Sequence, residues 1–190
     1  MPKLVVVYHS GYGHTQKQAE AVRAGMASVP NTAAELMPID EQGEITADDW
    51  DTLADADAIV FGSPTYMGSV SWQFKRFADA SSKPWSTQRW KDKLAAGFTN
   101  SASLNGDKLS TLHYLHTLAM QHGMLWAGTG MLPSNTLAAE RNDINYLGAY
   151  SGLMAQSPAD STPEQGPLPG DLATARLFGE RIAQLAKRWS

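Results

Sequence analysis

Three short polar stretches carry the residue types that could do chemistry. The first is Ser10-Gly11-Tyr12-Gly13-His14-Thr15. Its two glycines let the backbone curl with no Cβ in the way. Ser10 and Thr15 add hydroxyls, and a helix starting here would aim its first amides and its dipole into the curl. That is the chemistry one phosphate group needs. No Gly-Lys-Ser/Thr follows, which argues against a nucleoside triphosphate with Mg²⁺, and the spacing is not that of a dinucleotide glycine motif. A terminal monophosphate suits the loop better than a pyrophosphate. The stretch also reads as an ordinary capped strand-to-helix turn.

The second stretch, Ser63-Pro64-Thr65-Tyr66-Met67-Gly68-Ser69-Val70-Ser71, is stiffened by proline and presents one aromatic and one soft side chain. These could flank a flat ring system or simply pack on neighbouring loops. The third, Asn100-Ser101-Ala102-Ser103-Leu104-Asn105-Gly106-Asp107, offers backbone and side-chain amides for the polar edge of a heterocycle. Elsewhere the signals are weaker. His113 and His116 are three apart on a helical stretch without an HExxH pattern, so they read as a polar helix face rather than a metal site. No GxSxG elbow supports a serine hydrolase. The absence of cysteine removes disulfides, thiolate metal sites and thiol nucleophiles together. No side chain is assigned a catalytic role.

The elements that must position these stretches alternate along the chain. Residues 3–8 (KLVVVY), 33–39 (AAELMPI), 57–62 (DAIVFG), 94–99 (LAAGFT) and 123–127 (GMLWA) read as strands, the buried ones as unbroken apolar runs. Helical patterns cover 15–28, 47–55, 70–80, about 108–121 and 171–188. Trp72, Phe74 and Phe77 are candidates for the buried side of the third helix, and Leu172, Ala175, Leu177, Phe178, Ile182 and Leu185 for that of the last. Trp72, Trp126 and Trp189 read as packing residues. Residues 128–170, rich in Gly and Pro, show no strong periodicity, and a segment of that length is expected to be functional or interfacial. It is expected to pack over the edge of a ligand or on a neighbouring subunit. The expectation is one α/β domain over 1–190: a doubly wound, five-stranded parallel sheet with helices on both faces. The three polar stretches follow strands one, three and four, where such sheets bind ligands.

With 190 residues and a net charge of −4 from 15 basic and 19 acidic side chains, the chain has a sizeable core and no basic excess. That disfavours nucleic acid as a partner. No apolar run approaches a bilayer span and the first residues do not form a signal peptide, so no membrane insertion is expected and a cytoplasmic protein is the default.

Taken in order, YHSGYGHT at 8–15, AIVFGSPTYMG at 58–68, FADASSKPW at 77–85, KLAAGFTNSAS at 93–103, QHGM at 121–124 and NYLGAYSG at 145–152 resemble flavodoxin-like FMN proteins. They resemble specifically the WrbA type of NAD(P)H:quinone oxidoreductase, over nearly the whole chain. The resemblance implies FMN as cofactor, NADH or NADPH as donor, and a quinone or similar acceptor served in turn at one pocket. It implies that Ser10, Gly11, Tyr12, Gly13, His14 and Thr15 hold the FMN phosphate, with Tyr12 also where the nicotinamide binds. Pro64, Thr65 and Tyr66 would meet the ribityl chain and ring edge, and Asn100, Ser101, Ala102, Ser103, Leu104 and Asn105 the pyrimidine end. His122 would close the site and Trp85 would wall the quinone pocket, both across subunit contacts of a homo-oligomer, tetramer or dimer. The sequence departs from the family where Tyr66-Met67 replaces an arginine-aromatic pair, where SLNGDK replaces a glycine-rich loop, and in a short segment at about 40–50. An electron carrier, a reductase of free flavin, nitro or azo acceptors, and a flavin-free interaction protein stay open as alternatives.

Overall fold

The β-branched run at the start forms β1 (Lys3–Tyr8) in a computed structural model that describes residues 1–189. It leads into α1 (His14–Ala27), β2 (Ala33–Pro38), α2 (Ala47–Asp55), β3 (Ala58–Pro64), α3 (Trp72–Ala80) and the one-turn α4 (Ser82–Ser86). Then come β4 (Leu94–Ser101), α5 (Lys108–Gln121), β5 (Leu125–Trp126), β6 (Leu153–Gln156) and α6 (Pro169–Trp189). The sheet order is β2-β1-β3-β4-β5, with β6 also on β4, and every pair is parallel. Parallel neighbours need crossovers, and the helices supply them on both faces.

Successive strand residues point to opposite faces, so each strand feeds two cores. Leu4, Val6, Tyr8, Val60 and Phe98 pack with α1 and α6. Val5, Val7, Ile59 and Phe61 pack with Phe74, Phe77, Trp90, Leu112 and Leu115 from the other side. On the first face α1 and α6 touch backbone to backbone: a Cβ on Gly25 would strike the Arg176 carbonyl, and one on Gly179 the Val22 carbonyl.

The fifth strand differs from expectation. Only Leu125 and Trp126 join the sheet, opposite Leu94 and Ala95. The chain then leaves and returns as β6, opposite Phe98–Ser101, filling the upper half of the same edge. The sheet thus has six strands in five positions, and the segment expected to be irregular contains one of them. LMAQ is too short a run to stand out in sequence; only Leu153 and Ala155 are buried. The excursion is fixed by polar side chains. Asn145 Oδ1 accepts from Ala149 N (3.0 Å), its Nδ2 donates to Met131 O (3.1 Å), and Arg141 makes two bonds to Asp171 (2.9 and 2.7 Å) at the start of α6. Three apolar assignments also change: Trp72, Trp189 and Leu177 are exposed. Trp72 opens α3 at the solvent side of its first turn, while Phe74 and Phe77 take the inner face.

Candidate functional site

At the carboxyl end of β1 the chain curls over residues 10–13 before α1 starts. Ser10 Oγ holds the curl, accepting from Gly13 N (3.1 Å) and Gln16 N (3.2 Å). Gly13 sits at φ 86°, and a Cβ there would lie 2.7 Å from Pro163 Cγ. A side chain at this position would meet both a forbidden backbone region and the segment that covers it. His14 Nδ1 lies 2.9 Å from Gly166 O. A carbonyl only accepts, so Nδ1–H donates, and the ring is tied to that covering segment. Among the described residues the amides of Gly11, Tyr12, His14 and Thr15 have no acceptor. These four donors and the α1 dipole form an anion cradle.

The second loop turns tightly at the end of β3. Tyr66 and Ser69 exchange backbone bonds (2.9 and 3.1 Å), and both residues between them have positive φ: Met67 at 48° and Gly68 at 76°. This is the hairpin turn whose twist suits strands. It thrusts Met67 fully into solvent and points Tyr66 back. The Tyr66 and Tyr12 rings meet edge to face, with centroids 6.4 Å apart. Burial, and secondarily Tyr12, raises the Tyr66 phenol pKa, so it stays a neutral donor. Below, Thr65 Oγ1 lies 2.7 Å from Thr99 Oγ1 and 2.8 Å from Thr111 Oγ1, and Thr65 N donates to Asn100 O (2.8 Å), fastening loop two to loop three.

The third loop, after β4, is held by its carbonyls. Ser101 O accepts from Ser157 N (3.1 Å), and Ala102 O from Gln156 Nε2 (2.9 Å). Ser103 O and Leu104 O accept from Lys108 Nζ (2.6 and 2.8 Å), which also reaches Ser101 Oγ (2.9 Å). In a trans peptide the C=O of one residue and the N–H of the next point opposite ways. Four captured carbonyls, 101 to 104, therefore turn the amides of 102 to 105 outwards. None of those four amides has an acceptor among the described residues. Lys108 is fully buried, and that burial brings its pKa down to about 8, with Asp171 opposing the shift and Arg141 adding to it.

The three loops enclose a cavity of about 430 Å³ lined by Tyr12, His14, Thr15, Pro64, Thr65, Tyr66, Asn100, Ser101 and Ala102. Ser10, Gly11 and Gly13 do not line it. Ser103 lies beyond it. Leu104 and Asn105 instead edge a neighbouring depression with Leu109, Tyr146, Leu147 and Met154. Four lining residues, Ser157, Pro158, Ala159 and Ser161, were missed in the sequence. They follow β6, and their only signal is the Ser/Pro-rich composition of a segment expected to pack over a ligand edge. A larger depression of about 600 Å³, at the amino ends of β1 and β2, is lined by Lys3, Glu35, Asp48, Asp51 and Asp55 among others. It lies at the end of the sheet where this topology does not bind ligands.

Two assigned residues are not brought to the cavity by their own chain. His122 caps α5 beside the start of β4, at the opposite end of the sheet. It is buried, lies 2.8 Å from Ser81 Oγ and packs against Trp90, with ring centroids 4.2 Å apart. Burial lowers its pKa to about 4, so it is neutral. Trp85 sits on the one-turn α4 after Ser81, also away from the cavity, and is half exposed.

Among the described residues no cluster of His, Asp or Glu could hold a metal ion, and no helix is long and apolar enough to cross a membrane. Comparison with known proteins adds the following. The model of the NADPH-dependent FMN reductase family matches residues 8–137. Flavodoxin FldP of Pseudomonas aeruginosa is 50% identical over 99% of this chain and 98% of its own. An NAD(P)H dehydrogenase (quinone) of Geotalea uraniireducens is 32% identical, over 98% of each chain. A WrbA-like flavodoxin from Agrobacterium tumefaciens superposes with a TM-score of 0.81 at 49% identity over the full length of both chains.

Proposed function

The chain belongs to the NADPH-dependent FMN reductase family, and from that premise we propose that it is an FMN-dependent oxidoreductase that passes two electrons from NAD(P)H to a quinone or similar small acceptor. The observation that carries this reading is the pair of free-amide loops at the two ends of one cavity. The amides of Gly11, Tyr12, His14 and Thr15 suit a terminal phosphate, and the free amide of Ala102 on the cavity wall suits the carbonyl-rich edge of a flat heterocycle. FMN has both features, so the residues present fit it. When bound, FMN supplies the chemistry, taking a hydride from nicotinamide and giving two electrons to the acceptor.

The chain's own residues bind and orient. Ser10 keeps the phosphate loop curled and retains its own proton to donate. Thr15, buried at the first turn of α1, adds a hydroxyl. Pro64 and Thr65 would wall the ribityl chain, Tyr66 closes the gap towards Tyr12, Ser157 is fastened to the third loop, and Pro163 and Gly166 pack over the phosphate loop. Nicotinamide and acceptor would enter the same cavity in turn, past Tyr12 in its lining. Trp85 would contribute to such a face only from a second subunit.

A second reading has one specific observation behind it. The relative that is 50% identical over almost the whole chain is named a flavodoxin. A flavodoxin would bind FMN and pass electrons to a protein partner without turning over NAD(P)H with quinone.

The test is the visible spectrum of the purified protein after FMN addition and gel filtration, followed by steady-state kinetics. Retained flavin bands, NAD(P)H-dependent quinone reduction and parallel initial-rate lines at several quinone concentrations are expected. Intersecting lines would rule out the shared pocket. Retained flavin without turnover would favour the carrier.

A further inference from the structure

Lys108 is unusual among the chain's cations. It is fully buried, and among the described residues it has no carboxylate within salt-bridge distance and its three bonds go to the third loop: Ser101 Oγ, Ser103 O and Leu104 O. A buried ammonium is costly unless its hydrogen bonds are satisfied, and here the loop satisfies it. The loop in turn depends on the lysine, because without it the Leu104 carbonyl would have to find another donor and the Ser103 carbonyl would keep only Ser101 Oγ (3.0 Å). The ammonium lies one side chain behind Ser101, which lines the cavity.

We propose that Lys108 is a positioning residue for the flavin ring: by bonding the Ser101 hydroxyl and the carbonyls of Ser103 and Leu104 it holds the third loop, and with it Ser101 and Ala102 on the cavity wall, against the pyrimidine edge, and its enclosed positive charge favours the reduced flavin over the oxidised one. The inference rests on the FMN reading above. It assigns two separable effects to one side chain. The first is geometric and acts on binding of either redox form. The second is electrostatic and acts only on the difference between them, because reduction places negative charge at the pyrimidine end of the ring and a buried cation nearby is weakly screened.

Two substitutions separate these effects. Lys108→Met keeps the length and removes both donors and charge. Lys108→Gln removes the charge and keeps an uncharged donor group on a side chain one bond shorter. FMN dissociation constants come from flavin fluorescence, midpoint potentials from equilibration with a reference dye, and melting of each apoprotein checks that it folds. Lys108→Met is expected to bind oxidised FMN about tenfold more weakly and reduced FMN a further tenfold more weakly, a fall of about 30 mV in two-electron potential. Lys108→Gln is expected to recover most of the affinity and none of the potential. A Lys108→Met protein that matches the parent in both quantities overturns the proposal and leaves the FMN reading intact. A parent that retains no FMN overturns both.

Should both variants fail to fold, the parent alone decides. The charged groups facing the ammonium are Asp171 at the start of α6 and Arg141 from the excursion. With these constant, the Lys108 Nζ resonance should titrate at higher pH with reduced than with oxidised FMN bound. Identical titrations in the two states overturn the proposal.

Discussion

The loops at 10–15 and 100–105 both turn backbone amides outwards, but they are held in different ways. The first is built from its own residues: Ser10 bonds to amides three and six positions along, and Gly13 supplies the left-handed turn. The second is held from behind. Lys108 takes two of its carbonyls from the first turn of α5, and Gln156 takes a third from 54 residues away. A local motif fails when its own residues change. A propped loop fails when its props do. The ligand's two ends should report the two loops separately: FMN has a phosphate and riboflavin does not, so the FMN/riboflavin affinity ratio isolates the first loop.

The largest effect is expected from Gly13→Val. A β-branched residue at φ 86° costs about 1–3 kcal/mol, and Pro163 stands in its way. FMN affinity should fall by at least about 100-fold, since the cradle cannot close. Riboflavin affinity should change far less. Equal losses for both ligands would show that the first loop also sets the ring site. Ser10→Ala comes next. It removes one acceptor shared by two amides, a loss comparable to an N-cap deletion of about 1 kcal/mol. FMN binding should weaken by about tenfold with riboflavin unchanged, as measured by fluorescence titration.

This contrast also explains what the sequence revealed. The alternating elements, the strands at 3–8, 57–62 and 94–99 and the phosphate loop were legible because their signals are local: apolar runs, helical periods, and glycines at a strand-to-helix junction. The sheet edge was not. β5 and β6 share one position across a 26-residue excursion from Ala127 to Gly152, and no local pattern states that Leu153–Gln156 will pair with β4. The cavity wall at 157–161 was missed for the same reason. Trp72 shows the limit of periodicity, since a residue on the first turn of a helix can follow the apolar period and still face solvent. His122 shows what local pattern leaves out, because the histidine of QHGM packs beside Trp90 within its own chain and could meet a cavity only across the subunit contact that the resemblance implies.

Lys108 gives the propped loop a pH dependence of its own. Its folded pKa of about 8 lies below the ordinary lysine value of 10.5. Between those values the unfolded chain holds more protons than the folded one, so stability rises with pH. The contribution is fully present above pH 10.5 and is lost as pH falls through 8. From pH 8 to 9 the parent should gain about 1 kcal/mol relative to Lys108→Met, with all other groups common to both. Denaturant unfolding of the two proteins at each pH measures this. A constant difference would mean that the ammonium is solvated in solution and the prop is weaker than its burial implies.

The smallest effect is expected at Gln156, and it separates the two props. Its Nε2 holds the Ala102 carbonyl at 2.9 Å on the exposed side of the loop, while its backbone N–H stays bound to Asp171 whatever the side chain. Gln156→Leu removes the side-chain bond and leaves β6 in register. Arg141, which also touches Gln156 Oε1 at 3.3 Å, keeps both bonds to Asp171. A freed, exposed carbonyl can bond to water, so the stability cost should stay within about 1 kcal/mol. Only the amide of Ser103 loses its orientation, because Lys108 still holds the peptides that follow. FMN and riboflavin should therefore weaken together, by about three- to fivefold, at a constant ratio and an unchanged midpoint potential. A change in the ratio would mean that the two loops communicate through the second loop, where Tyr66 meets Tyr12 and Thr65 N bonds to Asn100 O. A change in potential would mean that loop geometry rather than the buried charge sets the redox balance, and the two roles assigned to Lys108 would merge into one.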